Sequence, residues 1–169
     1  MEYKKKVCML GSFAVGKTSL VRRYVLSQYD DKYLSTVGVK VDKKRIRVGD
    51  DDVIMMLWDI YGEDDFQKLR MSTLAGSNGY LLVADGTRRA TLEKALEVNE
   101  RVQASPNAAP AVLVVNKLDL SADWEVTPEM LQELRGRGWE PLESSAKTGG
   151  GVEEAFHALA VLMMMGKSK

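Results

Sequence analysis

Short apolar runs and segments of helical spacing alternate along this chain. Residues 7–10 are an apolar run that ends at Gly11, and residues 16–26 follow with the spacing of a helix. Short apolar runs predict buried strands, and apolar residues every three or four positions predict amphipathic helices. Further strands are predicted at 53–58, 79–84, 111–115 and 139–142. Further helices are predicted at 91–104, 127–135 and 152–165.

The stretch before the second apolar run has a different pattern. Val37, Val39 and Val41 alternate with polar residues, and the phase of the alternation changes at Lys43-Lys44. Gly49-Asp50 then precedes the run at 53–58. This pattern predicts an antiparallel hairpin with a bulge at the phase change.

The order of these elements predicts an α/β fold. We expect six strands and five helices in one domain over residues 1–169. Apart from the hairpin each strand leads into a helix, so the sheet should be mostly parallel, with helices on both faces and the antiparallel hairpin at one edge. Ligands of such sheets bind at the carboxyl ends of the strands.

Composition excludes several classes of function. The chain has one cysteine, Cys8, and one histidine, His157. These exclude an internal disulfide framework, a Cys/His zinc cluster and a mechanism that needs two histidines, and they disfavour a Ser/His/Asp triad. Apolar runs stay far below the ~20 residues of a membrane span. We therefore expect a cytoplasmic protein, and we expect His157 to be a partly buried structural residue.

The net charge of zero hides an asymmetry along the chain. Residues 1–47 hold 12 Lys/Arg and 4 Asp/Glu, 12 − 4 = +8, and residues 48–169 hold 12 and 20, 12 − 20 = −8. The basic stretch 40–47 lacks the interleaved aromatic motifs of an RNA-binding module. Positive charges on an edge strand prevent edge-to-edge pairing of sheets, and this role explains the basic stretch better. A nucleic-acid partner is not expected.

The most specific motif is a phosphate-binding loop. Gly11-Ser12-Phe13-Ala14-Val15-Gly16-Lys17-Thr18 fits G-x-x-x-x-G-K-[ST] and lies between a predicted strand and a helix. Glycines permit turns that direct successive N–H groups at phosphate oxygens, and the helix N-terminus adds partial positive charge. Lys17 would hold the β- and γ-phosphates and Thr18 a magnesium ion. The predicted phosphate contacts are Phe13, Ala14, Val15, Gly16, Lys17, Thr18 and Ser19.

A second motif indicates which base is bound. Asn116-Lys117-Leu118-Asp119 follows a predicted strand. The Asp119 carboxylate can accept hydrogen bonds from guanine N1–H and N2–H, whereas adenine offers an acceptor at N1 and has no amino group at C2. A buried polar group left unpaired discriminates strongly between substrates. Asp119 therefore predicts GTP or GDP as the ligand, and an ATPase or a kinase is disfavoured.

With Ser144-Ser145-Ala146-Lys147 after the last strand, these motifs resemble a small GTPase of the Ras superfamily, a P-loop NTPase with a G domain, over essentially the whole chain. Residues 29–38 resemble a Rab-type first switch, and Trp58-Asp59-Ile60-Tyr61-Gly62-Glu63 occupies the second. Rab-like GTPases of prokaryotes are an equally good resemblance.

The resemblance implies roles for residues in and near the switches. Tyr29 would pack edge-on to guanine, and Tyr33 would also contact the nucleotide. The magnesium ion would be held by Thr18, Thr36 and Asp59, where Asp59 orders a bound water. The Gly62 N–H would meet the γ-phosphate, so that Lys17, Gly62 and Glu63 form the catalytic group.

The resemblance also assigns the base-reading loops. Asn116 and Lys117 would brace the base loop. The Ala146 N–H would read guanine O6, supported by Ser145 and Lys147.

Two positions depart from the family, and both concern hydrolysis. Glu63 stands where members usually carry a glutamine that orients the attacking water; an ionised carboxylate only accepts hydrogen bonds and opposes the developing negative charge. A protonated, amide-like Glu63 is an alternative. Phe13 stands where glycine is common, and either crowds an arginine finger from an activating protein or turns outward. Arg70 and Arg88-Arg89 are weaker candidates for a finger supplied by the chain itself.

These departures predict a guanine-nucleotide switch with slow intrinsic GTP hydrolysis. The alternative is a GTP/GDP-binding interaction module with negligible hydrolysis. Effector, exchange-factor and activating proteins would bind through residues about 29–41 and 60–74. We expect a monomer without a direct lipid anchor, because Cys8 lies in the first strand and the sequence ends Gly166-Lys167-Ser168-Lys169, without the terminal cysteines that are prenylated in membrane-bound relatives.

Overall fold

A computed structural model describes residues 1–27, 39–60 and 71–166. Its strands are β1 (Glu2–Leu10), β2 (Val39–Val48), β3 (Asp51–Ile60), β4 (Gly79–Asp85), β5 (Ala111–Asn116) and β6 (Leu142–Glu143). Its α-helices are α1 (Lys17–Leu26), α2 (Arg89–Gln103), α3 (Pro128–Gly136) and α4 (Val152–Met165). Short 3-10 helices cover Met71–Leu74 and Leu118–Asp123.

The strands form one six-stranded sheet in the order β2-β3-β1-β4-β5-β6. β1 pairs in parallel with β3 and β4, and β5 pairs in parallel with β4 and β6. Only the hairpin of β2 and β3 is antiparallel, and it places β2 at the edge. The predicted six-stranded, mostly parallel α/β sheet with an antiparallel edge hairpin is confirmed.

Helices cover both faces of the sheet because the central strands are apolar on both sides. On one face Met9, Leu81 and Val114 pack with residues of α1 and α4, among them Leu20 and Phe156. On the other face the core is formed with α2 and α3 by Leu82, Leu113, Val115, Leu92, Val98 and Leu131. The whole of β4 is buried, which explains why its sequence is a continuous apolar run rather than an alternating one.

The hairpin has no bulge, so the sequence prediction was wrong on this point. Its register is continuous, with Val39 opposite Ile60 and Val48 opposite Asp51. Val39 and Val41 are exposed on the same face as Lys43, whereas Ile46 and Val48 lie half-buried on the opposite face. On each face of β2 only one end of the strand carries apolar residues. The apolar positions therefore switch from one face to the other along the strand, and in the sequence this looks like a bulge.

The predicted boundaries hold best where a cap or a glycine marks them. The Thr127 side chain accepts a hydrogen bond from the Met130 N–H at 3.2 Å, and Pro128 begins α3 as expected. The strand predicted at 139–142 is instead Leu142–Glu143. His157, expected to be partly buried, is exposed on α4.

Four of the five predicted helices are the α-helices of the described residues. None of the helices there is both long enough and apolar enough to cross a lipid bilayer.

Candidate functional site

The phosphate loop joins β1 to α1, and its two glycines are required by close contacts. A Cβ at Gly11 would lie 2.4 Å from the carbonyl oxygen of Val83 on the neighbouring strand β4. Gly16 has φ of 102°, and a Cβ there would lie 2.4 Å from Asn116 Nδ2. The pattern G-x-x-x-x-G therefore reflects steric limits imposed by β4 and β5, in addition to the turn itself.

Ala14 adopts a backbone conformation that usually favours glycine. Its φ is 62°, which costs roughly 1–2 kcal/mol for an L-residue with a Cβ. The preceding Phe13 carbonyl oxygen accepts a hydrogen bond from Arg88 Nη2 at 2.8 Å. Phe13 is 41% exposed, so a partner protein can reach it, and crowding of an arginine finger stays a hypothesis.

Lys17 lies over the loop that precedes it. Its residue is 6% exposed, and its Nζ donates to the carbonyl oxygens of Gly11 at 2.6 Å and Ser12 at 3.3 Å. These bonds hold the ammonium group against the loop. Because the carbonyl oxygens are neutral, phosphate oxygens compete well for the same ammonium group. Ser19 follows in the first turn of α1 and is half-buried.

Thr18 and Asp59 bring two oxygen ligands together beside the loop. Thr18 Oγ1 donates to Asp59 Oδ2 at 2.6 Å, and Asp59 is 1% exposed at the end of β3. Mg²⁺ prefers hard oxygen ligands and takes one or two from the protein besides phosphates and waters. A hydroxyl and a buried carboxylate within contact of each other fit this ion.

Asn116 connects the phosphate loop to the base loop. Its Nδ2 donates to the Val15 carbonyl oxygen at 3.0 Å, and its Oδ1 accepts from Ser144 Oγ at 3.0 Å. The residue is 2% exposed at the end of β5. A single buried amide therefore holds the three predicted loops together.

Lys117 has a strained backbone that a tryptophan holds in place. Its φ is 72°, and its carbonyl oxygen accepts from Trp124 Nε1 at 2.8 Å. The Trp124 ring lies against Gly86, where an added Cβ would meet it at 2.1 Å. The Lys117 side chain reaches back to Asp85, with Nζ 2.8 Å from Oδ2.

Asp119 is exposed, and a hydrogen bond to one of its oxygens orients the carboxylate. Its Oδ1 accepts from Ser145 Oγ at 2.7 Å, so the carboxylate has a fixed direction while it stays accessible to a base. Ser145 is 1% exposed, and its Oγ also accepts from the Thr148 N–H at 3.1 Å. Ser145 thus supports both the base loop and the loop after β6.

Arg23 of α1 holds that last loop. Its Nε donates to the Ala146 carbonyl oxygen at 2.7 Å and its Nη2 to that of Lys147 at 2.5 Å. Ala146 is 4% exposed and Lys147 is exposed. The helix that begins at the phosphate loop is therefore also bonded to the loop predicted to read guanine.

Asp85 at the end of β4 is the most strongly hydrogen-bonded carboxylate of the site. Burial acts to raise the pKa of Asp85, but hydrogen bonds from Lys117, Thr87 and Arg88 together outweigh burial and hold the pKa below its usual value. Asp85 is therefore an anion that fixes the two cationic side chains beside it.

The structure brings most predicted residues to the carboxyl ends of β1, β3, β5 and β6. These are Phe13, Ala14, Val15, Gly16, Lys17, Thr18, Ser19, Asp59, Asn116, Lys117, Asp119, Ser145, Ala146 and Lys147. Six predicted residues lie outside the described residues, namely Tyr29, Tyr33, Thr36, Gly62, Glu63 and the finger candidate Arg70.

Sequence reasoning missed Arg23 and Asp85. A polar residue directly after an apolar run marks Asp85 in the same way that it marks Asn116, so that signal was present. Arg23 is separated from Ala146 by 123 residues, and no local pattern indicates such a contact.

Comparison of the sequence with known proteins identifies a family and several relatives. The sequence model described as "Ras: Ras family" matches residues 6–165. The chain is 34% identical over 161 residues to Ras-related protein Rab7 of Drosophila melanogaster, covering 92% of this chain and 78% of that protein. It is 31% identical over 167 residues to Ras-related protein RABG3f of Arabidopsis thaliana, covering 92% and 80%. It is 32% identical over 164 residues to Ras-related protein Rab-21 of Homo sapiens, covering 96% and 73%.

Proposed function

The chain belongs to the Ras family of small GTPases and is Rab-like, and from this premise we propose a guanine-nucleotide switch with slow intrinsic hydrolysis. As a member of the family it is a GTP-binding switch GTPase. The finer proposal concerns the base it selects, the rate at which it hydrolyses GTP and the surfaces that its partners contact.

One observation carries the proposal, the bond from Asn116 to Val15 at 3.0 Å. It fixes the base loop, and with it Asp119, relative to the phosphate loop that contains Lys17. A guanine nucleotide has its base and its phosphates at opposite ends, so two loops held at a fixed separation suit it. Competition between GTP and ATP for a fluorescent GDP analogue tests the choice of base. Preference for GTP by several orders of magnitude is expected, and equal competition would refute the proposal.

The chain's own residues supply the charge that phosphates require. Lys17 exchanges its bonds to the Gly11 and Ser12 carbonyl oxygens for phosphate oxygens, and loop N–H groups add further donors. A magnesium ion would be held by Thr18 and Thr36, with Asp59 ordering a bound water, and would neutralise phosphate charge when bound. In hydrolysis water attacks the γ-phosphorus, the bond to the β–γ bridging oxygen breaks, and GDP and phosphate leave.

The switch itself is assigned to two segments outside the described residues. Thr36 and Gly62 would bind groups that GTP has and GDP lacks, so loss of the γ-phosphate releases both segments. Effector, exchange-factor and activating proteins would read this change through residues about 29–41 and 60–74. We propose that the protein acts as a cytoplasmic monomer.

Slow hydrolysis is proposed from Glu63 and Phe13. The carboxylate of Glu63 beside the γ-phosphate opposes the negative charge of the transition state, whereas a glutamine amide both accepts and donates. Glu63→Gln should hydrolyse bound GTP at least tenfold faster in single-turnover measurements, and Glu97→Gln, on the exposed side of α2, should not. Equal rates of the wild type and Glu63→Gln would refute the role of Glu63.

A nucleotide-binding module with negligible hydrolysis is the second candidate, and the same two residues favour it. Nucleotide extracted from the purified protein distinguishes the two. GDP as the main nucleotide would indicate a working GTPase, and GTP as the main nucleotide would indicate a binding module.

A further inference from the structure

Asp85, at the carboxyl end of β4, forms ion pairs with two cationic side chains. Its side chain is 1% exposed, and its Oδ2 accepts from Lys117 Nζ at 2.8 Å and from Arg88 Nε at 3.0 Å. Its Oδ1 accepts from the N–H of Thr87 at 2.9 Å and from the Thr87 hydroxyl at 2.7 Å. Because each oxygen accepts two hydrogen bonds, the carboxylate is held in one orientation. The carboxylate in turn fixes the guanidinium group of Arg88.

Arg88 extends this cluster to the phosphate loop. Its Nη2 donates to the Phe13 carbonyl oxygen at 2.8 Å, across 75 residues of sequence. A guanidinium group is planar and rigid, so its two bonds hold the Phe13 carbonyl oxygen at a fixed distance from Asp85. Arg88 therefore links the phosphate loop to the carboxylate that also orients Lys117 of the base loop.

The held carbonyl determines the direction of the next N–H group. In a planar trans peptide the carbonyl of Phe13 and the N–H of Ala14 point in opposite directions. Because Arg88 holds the carbonyl, the Ala14 N–H has to point to the other side of the loop. Ala14 has φ of 62°, which alanine adopts only when surrounding contacts maintain it. The contact from Arg88 acts on the peptide directly before this strained residue.

We propose that Arg88 is a positioning residue for the nucleotide, which keeps the phosphate loop in its phosphate-binding shape and couples it through Asp85 to Lys117. The inference rests on the proposed function, because it assumes that a guanine nucleotide occupies these loops. It also replaces the arginine-finger role considered for Arg88, since its Nε and Nη2 are already engaged on Asp85 and Phe13.

Release of a fluorescent GDP analogue into excess GDP tests the proposal. Arg88→Met keeps an unbranched apolar stem and removes both bonds. GDP release should be about tenfold faster, the effect of losing a hydrogen bond to a charged group. Arg101→Met is the matched control, because Arg101 lies at an exposed position of α2. Its release rate should equal that of the wild type.

A second readout separates positioning from general stability. The ³¹P resonance of the β-phosphate of bound GDP should shift in Arg88→Met and stay in place in Arg101→Met. Equal release rates of the two arginine variants, or faster release with an unmoved resonance, would overturn the proposal. If the wild type itself binds no GDP, the proposed function fails instead. Should Arg88→Met not fold, as judged by circular dichroism, Arg88→Lys serves the same comparison with the same expected direction.

Discussion

Asn116 Nδ2 donates to the Val15 carbonyl oxygen at 3.0 Å and joins two loops that are 101 residues apart in sequence. Its Oδ1 accepts from Ser144 Oγ, so the amide is used on both sides. This arrangement also explains Gly16, because a Cβ there would lie 2.4 Å from the same Nδ2. The spacing between the phosphate loop and the base loop therefore depends in part on this side chain.

Asn116→Ala is expected to release GDP about 100-fold faster. The substitution leaves the Val15 carbonyl and the Ser144 hydroxyl without this partner, at roughly 1–3 kcal/mol for each buried group. Stopped-flow release of a fluorescent GDP analogue measures the effect. Asn99→Ala removes an amide whose oxygen accepts from Gln103 Nε2 on the surface of α2 and should leave release unchanged. A tenfold smaller effect in Asn116→Ala would show that the loops hold together without this amide.

Asp119→Asn is expected to change the preferred base from guanine to xanthine. Xanthine carries a carbonyl at C2 where guanine has an amino group, and an asparagine amide can donate to it while a carboxylate cannot. Affinity for GTP should fall by about 10²–10⁴-fold. Competition titrations with GTP and XTP measure both changes. If the variant retained its preference for GTP, Asp119 would not be the residue that reads the base.

Arg23→Met is expected to weaken guanine binding through the loop at 145–147. Loss of the bonds to Ala146 and Lys147 frees the peptide that would read guanine O6. GDP release should be about 3–10-fold faster, because this charged donor is partly exposed and contributes about 1 kcal/mol. Arg101→Met, on the exposed side of α2, is the control. Equal release rates would exclude a role for Arg23.

The contribution of Asp85 to stability should depend on pH. Its pKa in the folded protein lies below the usual 3.8, so the carboxylate stabilises the fold above that value, and the stabilisation is lost as the pH falls through the folded pKa. Asp85→Asn should lower the free energy of unfolding by about 2 kcal/mol near neutral pH, since Lys117 and Arg88 are partly exposed.

Urea unfolding at a series of pH values measures this difference. The gap between the wild type and Asp85→Asn should shrink below about pH 4. Asp123→Asn, at an exposed position, should show no such gap at any pH. A gap that stays constant down to about pH 2 would contradict the role of the ionised carboxylate.

Sequence patterns predicted an element well where a local feature, such as a helix cap or a glycine, determines it. The 152–165 helix has its predicted bounds, and Thr127 caps α3 because a hydroxyl before Pro128 satisfies a free N–H of the first turn. The glycine pattern located the phosphate loop between β1 and α1. These features depend on neighbours a few residues apart.

Features that depend on distant packing were missed or wrong. The bulge predicted at Lys43-Lys44 is absent because β3 enforces a continuous register along β2. The bonds from Arg23 to Ala146 and from Arg88 to Phe13 cross 123 and 75 residues. A sequence shows that these arginines exist, but only the folded sheet decides which carbonyl each one reaches.

The separation of Val15 and Asn116 in sequence also determines the order in which the parts of the site are synthesised. A ribosome delivers the phosphate loop 101 residues before the amide that completes it, and β4, against which Gly11 packs, also comes late. A nascent chain that ends before β5 therefore carries a phosphate motif without the partner that fixes its shape. The contact that fixes the phosphate loop against the base loop can therefore form only after residue 116 has been made.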